Sequence, residues 1–161
     1  MPNIGKAIAN SKLCPVFAVS TINLAGLATL LDHIVEFAPN PAAHEAEHGK
    51  NEKGESESRK YSGSEPFSAY CFRTIADPFA GRINVFKIFS GKVGTDANVY
   101  NSTRGAGERL GALHTTQGKQ LDKVPEANAG DIIACVKLKE TQTGDTICDK
   151  AKPIIYDPVQ Y

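Results

Sequence analysis

Several signatures of common functional classes are missing from this chain of 161 residues. Lysine and arginine total 18, as do aspartate and glutamate, so the formal net charge gives no overall attraction to nucleic acid or membrane. The four cysteines, Cys14, Cys71, Cys135 and Cys148, form no C-x-x-C pair, which disfavours zinc and thioredoxin-like sites. No secretory leader pattern or membrane-length apolar run is present. The sequence therefore predicts a cytoplasmic protein with free thiols.

The usual catalytic and phosphate-binding patterns are also missing. There is no G-x-x-x-x-G-K-[ST] loop, no G-x-G-x-x-G after a strand, and no nucleophile–base spacing. His114 is an isolated strand histidine, and such residues are usually packed or at the surface. Asp131 and Asp145 each follow a glycine, a pattern typical of turn residues that bind nearby backbone amides. We therefore predict no catalytic residue and no metal site in this chain.

Residues 1–41 have the pattern of α/β structure. An apolar run at residues 12–20 predicts a buried strand, and Asn23 is placed to cap a helix that follows. Pro39 and Pro41 end that helix. One apolar face is formed at helical spacing by Leu27, Leu30, Leu31, Ile34 and Val35. Because one strand and one helix cannot complete an α/β sheet, we predict that this segment is the end of a larger α/β domain.

Residues 42–66 are rich in charge, glycine and serine and contain almost no apolar side chains. Such a composition cannot offset the entropy lost on ordering, so it predicts a flexible linker. His44 and His48 lie four residues apart with glutamates nearby, and a metal site there is the lesser alternative.

Residues 67–161 contain short segments rich in Val, Ile, Phe and Tyr, bounded by Gly, Asp, Asn or Pro. The segment 72–93 predicts two strands joined by a turn at residues 77–81, where Pro78 fixes its own φ and Gly81 permits the turn. Apolar residues lose strict alternation near Phe86 and Lys87, which predicts a bulge or burial on both faces. The pattern as a whole indicates a closed, all-β barrel.

Charge is unevenly distributed along this predicted barrel. Residues 73–119 hold seven basic and three acidic side chains, whereas residues 122–149 hold three basic and six acidic ones. One interpretation is a mixed, solvated surface, and the other is a phosphate-contacting face in the first half.

The motifs "FRTIADPFAGRINVFKIFSGKV", "NVYNSTRGAGERLG" and "AGDIIACVKLKETQTGDTICD" resemble the second domain of translational GTPases of the elongation factor G type. Upstream, "KLCPVFAVSTINLAGLATLLDHIVEFAPNP" is similar to the end of that family's GTP-binding domain. Val19, Ser20 and Thr21 match the family's fifth guanine motif, usually Gly-Ser-Ala. Ser20 and Thr21 are thus a remnant of that motif, and the departures at Val19 and Thr21 weaken its expected base contact.

The resemblance implies a translation-protein β-barrel, like domain 2 of elongation factor Tu, that packs on its own GTPase domain and touches small-subunit ribosomal RNA. The longer parent is expected to be a GTPase that uses GTP and Mg²⁺ and acts with the ribosome. This chain, which has no P-loop, is expected to be neither an enzyme nor the holder of a cofactor. Partners at a membrane or on DNA are not expected.

The Gly-rich loop after residue 100 presents guanidinium, hydroxyl and amide donors, the groups that phosphate oxygens accept from. With the resemblance, this predicts RNA contact by Arg104, Arg109, Asn101, Ser102, Thr103 and, less directly, Arg82. Two alternatives remain open. One is the same domain in a ribosome-protection or tRNA-delivery GTPase, and the other is a stand-alone small-ligand barrel.

Overall fold

The computed structural model describes residues 2–43, 45–118 and 120–159, which fall into two units, Met1–Ala43 and His44–Tyr161. The first unit contains helices α1 (Pro2–Ala9) and α2 (Leu27–Phe37) and a 3-10 turn at Pro41–Ala43. Neither helix, nor any other within the described ranges, is long and apolar enough to cross a membrane.

The second unit is built of strands. Their bounds are β1 (Glu47–Lys50), β2 (Ser56–Arg59), β3 (Ser68–Asp77), β4 (Gly81–Ser90), β5 (Lys92–Gly94), β6 (Asn98–Asn101), β7 (Ala106–Arg109), β8 (Leu113–Gln117), β9 (Gln120–Val124), β10 (Glu126–Asn128), β11 (Ile132–Val136), β12 (Thr146–Cys148) and β13 (Ile155–Tyr156). The predicted mainly β class is therefore confirmed.

The strand predicted at residues 12–20 does not form, because the described part of the first unit offers no neighbouring strand to accept its hydrogen bonds. The predicted helix forms, but it begins at Leu27, with Gly26 at its N-cap in a left-handed conformation of φ 75°. Asn23 does not cap it. Its side-chain oxygen instead accepts the backbone N–H of Ala25 at 3.2 Å, in the turn that precedes the helix.

The flexible linker predicted at residues 42–66 is wrong for its central part, which forms the antiparallel hairpin β1–β2. Strand β1 also pairs with β13, so distant parts of the chain satisfy its backbone groups. Arg59 is buried, and it donates to Glu57 at 2.5 Å and to the backbone oxygen of Lys152 at 3.1 Å. Backbone pairing and this buried guanidinium replace the apolar side chains that the composition lacks.

The lesser metal alternative at His44 and His48 cannot be followed in full, because His44 lies outside the described residues. His48 is an exposed residue of β1. Among the residues that the structure describes, no group of three or more His, Cys, Asp or Glu side chains is arranged to hold a metal.

The main sheet has eight antiparallel strands in the order β7-β6-β12-β3-β4-β11-β8-β9. A separate ribbon pairs β5 with β10. The predicted closed barrel is not seen as a continuous hydrogen-bonded ladder. In the described part of the sheet, β7 and β9 are the two edge strands and do not pair with each other. One apolar core nevertheless includes Val99 of β6 and Leu113 of β8, so strands near both ends of the ladder contribute to it.

The central hairpin β3–β4 confirms the predicted strand pair and turn. Residue 77 pairs with residue 81, and Gly81 has the left-handed φ of 77° that the turn requires. The register shifts twice, with Phe72 the extra residue on β3 and Phe89 the extra residue on β4. The bulge at Phe89 and the burial of both faces of β4 thus account for the loss of strict apolar alternation in this strand.

The two faces of β4 enter different clusters. Phe86 and Ile88 point into the main core, whereas Ile83 and Val85 pack with Ala134 in a second cluster. A third cluster contains the aromatic rings of Tyr70, Phe89 and Tyr156. Each fully buried large apolar side chain contributes about 1.5–3 kcal/mol to folding. The rigid platform that results positions the loops described next.

Candidate nucleic-acid interface

Arg104 lies in the loop between β6 and β7, and its side chain is held against the protein. Its Nε donates to Oδ2 of Asp145 at 2.5 Å, and its backbone N–H donates to Oδ1 of Asn101 at 3.0 Å. The Asp145 side chain is 4% exposed, whereas that of Arg104 is 38% exposed. A buried carboxylate therefore fixes a guanidinium that still reaches the surface.

Asp145 organises more than this one contact. Its Oδ2 also accepts Nδ2 of Asn101 at 3.1 Å and the backbone N–H of Gln142 at 2.9 Å. The predicted turn role of Asp145 is thus confirmed, and it is joined to the Arg104 loop. Asp131 behaves as predicted too, since its Oδ2 accepts the N–H of Asn128 at 2.8 Å.

A second buried carboxylate, Glu108 of β7, holds the same neighbouring segment. Its Oε1 accepts the backbone N–H groups of Lys139 and Glu140 at 2.9 and 2.6 Å. Its Oε2 accepts the hydroxyl of Thr141 at 2.8 Å, and that hydroxyl accepts Nδ2 of Asn101 at 3.1 Å. These donors, arranged in a buried network with two carboxylates, compensate for the carboxylates' loss of hydration. The segment 139–145 is consequently fixed beside the Arg104 loop.

The three small polar residues before Arg104 differ in their exposure. Asn101 is fully buried, and Ser102 is buried with its hydroxyl donating to the oxygen of Ile154 at 2.5 Å. Their side chains therefore hold the loop in position, and direct RNA contact by Asn101 and Ser102 stays a prediction. Thr103 is exposed, and its hydroxyl oxygen accepts the N–H of Thr146 at 2.9 Å.

Arg109 and Arg82 are held less firmly than Arg104. Arg109 pairs with Asp96 at 3.1 Å, but both side chains are about two-thirds exposed, so water and salt screen the pair. Arg82 donates to the backbone oxygen of Lys139 at 2.9 Å, and its own oxygen accepts the N–H of Lys137 at 3.1 Å. The structure thus places Arg82 beside two exposed lysines of the segment after β11.

The charge segregation seen along the sequence does not persist in space. Antiparallel pairing joins the two halves, so Arg104 meets Asp145 and Lys92 lies 3.7 Å from Glu126. Lys87 lies over the rings of Tyr61 and Phe89, at 5.6 and 5.2 Å from their centroids. Lys119, which was counted in the basic half, lies outside the described residues.

The residues of the guanine-motif remnant are all in the first unit. The backbone N–H of Ser20 donates to the oxygen of Ala25 at 2.9 Å, and Val19 is 45% exposed. Thr21 is an exposed turn residue. A role in base contact for Ser20 and Thr21 stays a prediction.

The buried network formed by Glu108 and Thr141 was not predicted from the sequence. The sequence did contain a pattern that predicts burial of Glu108. Side chains of the strand "AGER" alternate between the two faces, so if Arg109 faces solvent, Glu108 faces the interior. His114 is also buried, and its Nδ1 has no hydrogen-bond partner within the described ranges.

This chain is similar in sequence to elongation factor G proteins. The family model for elongation factor G domain 2 matches residues 66–150. Elongation factor G proteins from three strains of Dehalococcoides mccartyi are each 38% identical to this chain over 152 residues, covering 94% of this chain and 22% of the relative. A crystal structure of a protein from Thermus thermophilus has a TM-score of 0.59 at 24% identity, covering 80% of this chain and 16% of that one. The chain thus spans about a fifth of the length of these relatives.

Proposed function

Because this chain belongs to the elongation factor G domain 2 family, we propose that it is part of a ribosomal translocation factor, an elongation factor G-like GTPase. In this proposal residues 67–161 are a docking module that contacts small-subunit ribosomal RNA, and residues 1–41 are the end of the GTP-binding domain. The module couples ribosome contact to the state of its GTPase domain. GTP and Mg²⁺ belong to the longer cytoplasmic protein, and this chain itself performs no catalysis.

The observation that carries the proposal is the anchored guanidinium of Arg104. An arginine that is already oriented loses less conformational entropy when it binds a phosphate. The bond from Nε to Asp145 fixes the plane of the group, and the 38% exposure of the side chain leaves it accessible. A-form RNA is recognised largely by shape and backbone, so such a fixed donor suits an RNA surface.

The other predicted contacts take graded roles around Arg104. Arg109 adds an exposed charge, and the exposed Thr103 adds a hydroxyl that can still donate. Asn101 and Ser102 act through the backbone that they hold.

The alternatives differ in what they require. A ribosome-protection or tRNA-delivery GTPase would use the same module with other domains, and 38% identity to elongation factor G over 94% of this chain favours the translocation factor. A small-ligand barrel would need an open interior, but Phe86, Ile88, Leu113 and Ile147 are each fully buried at the centre of the sheet.

The test is binding of the chain to purified bacterial small ribosomal subunits across a range of salt concentrations. Arg104→Ala is expected to weaken binding and to reduce the slope of log affinity against log salt by about one. Arg109→Ala is expected to have a smaller effect. Lys53→Ala, which removes one exposed charge from the β1–β2 hairpin, is the matched control. An Arg104→Ala variant that behaves like Lys53→Ala would remove Arg104 from the contact.

A further inference from the structure

The turn between β3 and β4 presents a large aromatic ring to solvent. Phe79 is 98% exposed, although each strand beneath it is ten residues long. A single exposed apolar residue on a mobile loop would need no explanation. This residue instead stands at the end of the central hairpin.

The backbone of the turn is fixed. Oδ1 of Asp77 accepts the N–H of Phe79 at 2.8 Å and that of Ala80 at 2.7 Å. These two bonds lower the pKa of Asp77, so its carboxylate stays ionised and keeps both bonds at neutral pH. Pro78 restricts φ on one side of Phe79, and Gly81 closes the turn with φ of 77°. The backbone at Phe79 is therefore fixed, and its side chain lies in solvent.

Three basic residues lie beside this turn, next to the ionised Asp77 of the turn itself. Arg82 follows the turn directly, and its hydrogen bonds with residues 137 and 139 bring the exposed Lys137 and Lys139 to the same side of β4. The backbone of Lys137 has a left-handed φ of 62°, which is uncommon for a residue other than glycine. Glu140, the exposed acidic residue that follows Lys139, is also at this surface.

The segment 137–145 also connects this surface to Arg104. Its residue Thr143 donates its hydroxyl to that of Thr74 in β3 at 3.0 Å, and its residue Asp145 binds Arg104. The same segment therefore contacts Arg82 at residues 137 and 139 and Arg104 at Asp145.

We propose that the turn Asp77–Gly81 is a second RNA contact, in which Phe79 stacks on an unpaired base while Arg82, Lys137 and Lys139 contact the adjoining phosphates. The inference rests on the proposed function, which it extends from backbone contact to contact with one unstacked base. An aromatic ring beside cations is the combination that single-stranded segments of RNA bind. An apolar protein partner would be matched by a continuous apolar patch, but the other large exposed apolar residues of this hairpin, Phe72 and Ile75, are only 40 and 36% exposed.

The probe is an RNA hairpin that carries one unpaired 2-aminopurine, with a fully paired hairpin as its control. The chain is expected to quench the 2-aminopurine and to bind this hairpin more tightly than the paired one. Phe79→Tyr is expected to retain both properties. Phe79→Leu keeps the apolar character but loses the π-face, so it is expected to weaken binding roughly tenfold. Equal binding by the Phe79→Leu variant, or equal binding of the two hairpins, would overturn the proposal.

The contact of the two lysines with phosphates is tested with a double variant, Lys137→Ala with Lys139→Ala. The control is the Lys53→Ala variant. Because the lysines are assigned to phosphates, the double variant is expected to reduce the salt slope by about two and to leave quenching at saturation unchanged. A slope equal to that of Lys53→Ala would overturn the assignment.

The same variants separate this inference from the proposed function. If Arg104→Ala weakens binding to small ribosomal subunits while Phe79→Leu does not, the proposed function stands and the stacking contact is wrong. If the chain binds the unpaired hairpin through Phe79 but does not bind small subunits, the proposed ribosome docking is wrong.

Discussion

The two units of this chain use their apolar residues in opposite ways. In the first unit α2 has no buried residue, and Val16, Ile22 and Val35 are 92, 97 and 86% exposed. In the second unit Phe86, Ile88 and Leu113 are fully buried in one core. Both units are rich in large apolar residues, so composition alone does not account for the difference.

The difference shows that an apolar pattern specifies which face should be covered, whereas burial requires a partner surface. The β unit supplies its own partners through long-range antiparallel pairing, most of all around β3 and β4. In the first unit the predicted strand has no neighbour among the described residues, and it stays irregular. The comparison can be tested by perturbing equivalent residue types in the two units.

The largest effect is expected from one isoleucine in each unit. Ile88→Ala removes a fully buried side chain and is expected to lower the free energy of unfolding by about 2–5 kcal/mol. Ile22→Ala, its matched control at 97% exposure, is expected to change it by less than about 0.5 kcal/mol. Urea unfolding followed by tyrosine fluorescence measures both, since the chain has no tryptophan and Tyr61, Tyr70, Tyr100 and Tyr156 report on the β unit. Equal destabilisation by the two substitutions would contradict the division between the units.

Much of the β unit could be predicted from the sequence because its signals are local. The turn at residues 77–81, the strands on each side and the turn roles of Asp131 and Asp145 follow from residue types that restrict φ or bind nearby amides. The hairpin β1–β2 could not be predicted in this way. It depends on pairing with β13 and on the buried Arg59, which is bound by a backbone oxygen far along the chain.

The candidate site was predictable only as a set of donors. Loop composition indicates Arg104 and its neighbours, but it does not distinguish the anchored Arg104 from the buried Asn101. That distinction comes from Asp145 and Glu108, which reach the loop from other parts of the sheet. Residue type predicts the available chemistry, and long-range packing decides which groups face outward.

An intermediate effect is expected from pH, because the thiols of the two units differ in burial. Burial raises the pKa of Cys135 from 9.0 to about 12 and raises the pKa of Cys71 and Cys148 in the same direction. The folded state thus favours the protonated Cys135 thiol. The contribution of this thiol to the free energy of unfolding is complete below pH 9 and is lost as pH rises towards about 12. At a pH of about 10.5 the loss from Cys135 alone is about 2 kcal/mol.

The measurement is the free energy of unfolding in urea between neutral pH and about pH 10.5. Cys135→Ala is expected to flatten its decline with pH, whatever that substitution does to stability at neutral pH. Cys14→Ala, at the exposed cysteine of the first unit, is the matched control and is expected to leave the decline unchanged. A decline that is identical in both variants and the parent chain would show that Cys135 does not ionise on unfolding.

The smallest effect is expected in limited proteolysis, which compares the irregular segment of the first unit with the β1–β2 hairpin. Trypsin is expected to cleave after the exposed Lys12 before it cleaves after Arg59, which is 4% exposed and bound to Glu57 and Lys152. The difference should be modest, because a sheet of three short strands opens locally at little free-energy cost. Mass spectrometry of a digestion time course measures the order, and the chain unfolded in urea, where both sites are open, serves as the control. Cleavage after Arg59 as early as after Lys12 in the folded chain would restore the flexible linker that the composition predicts.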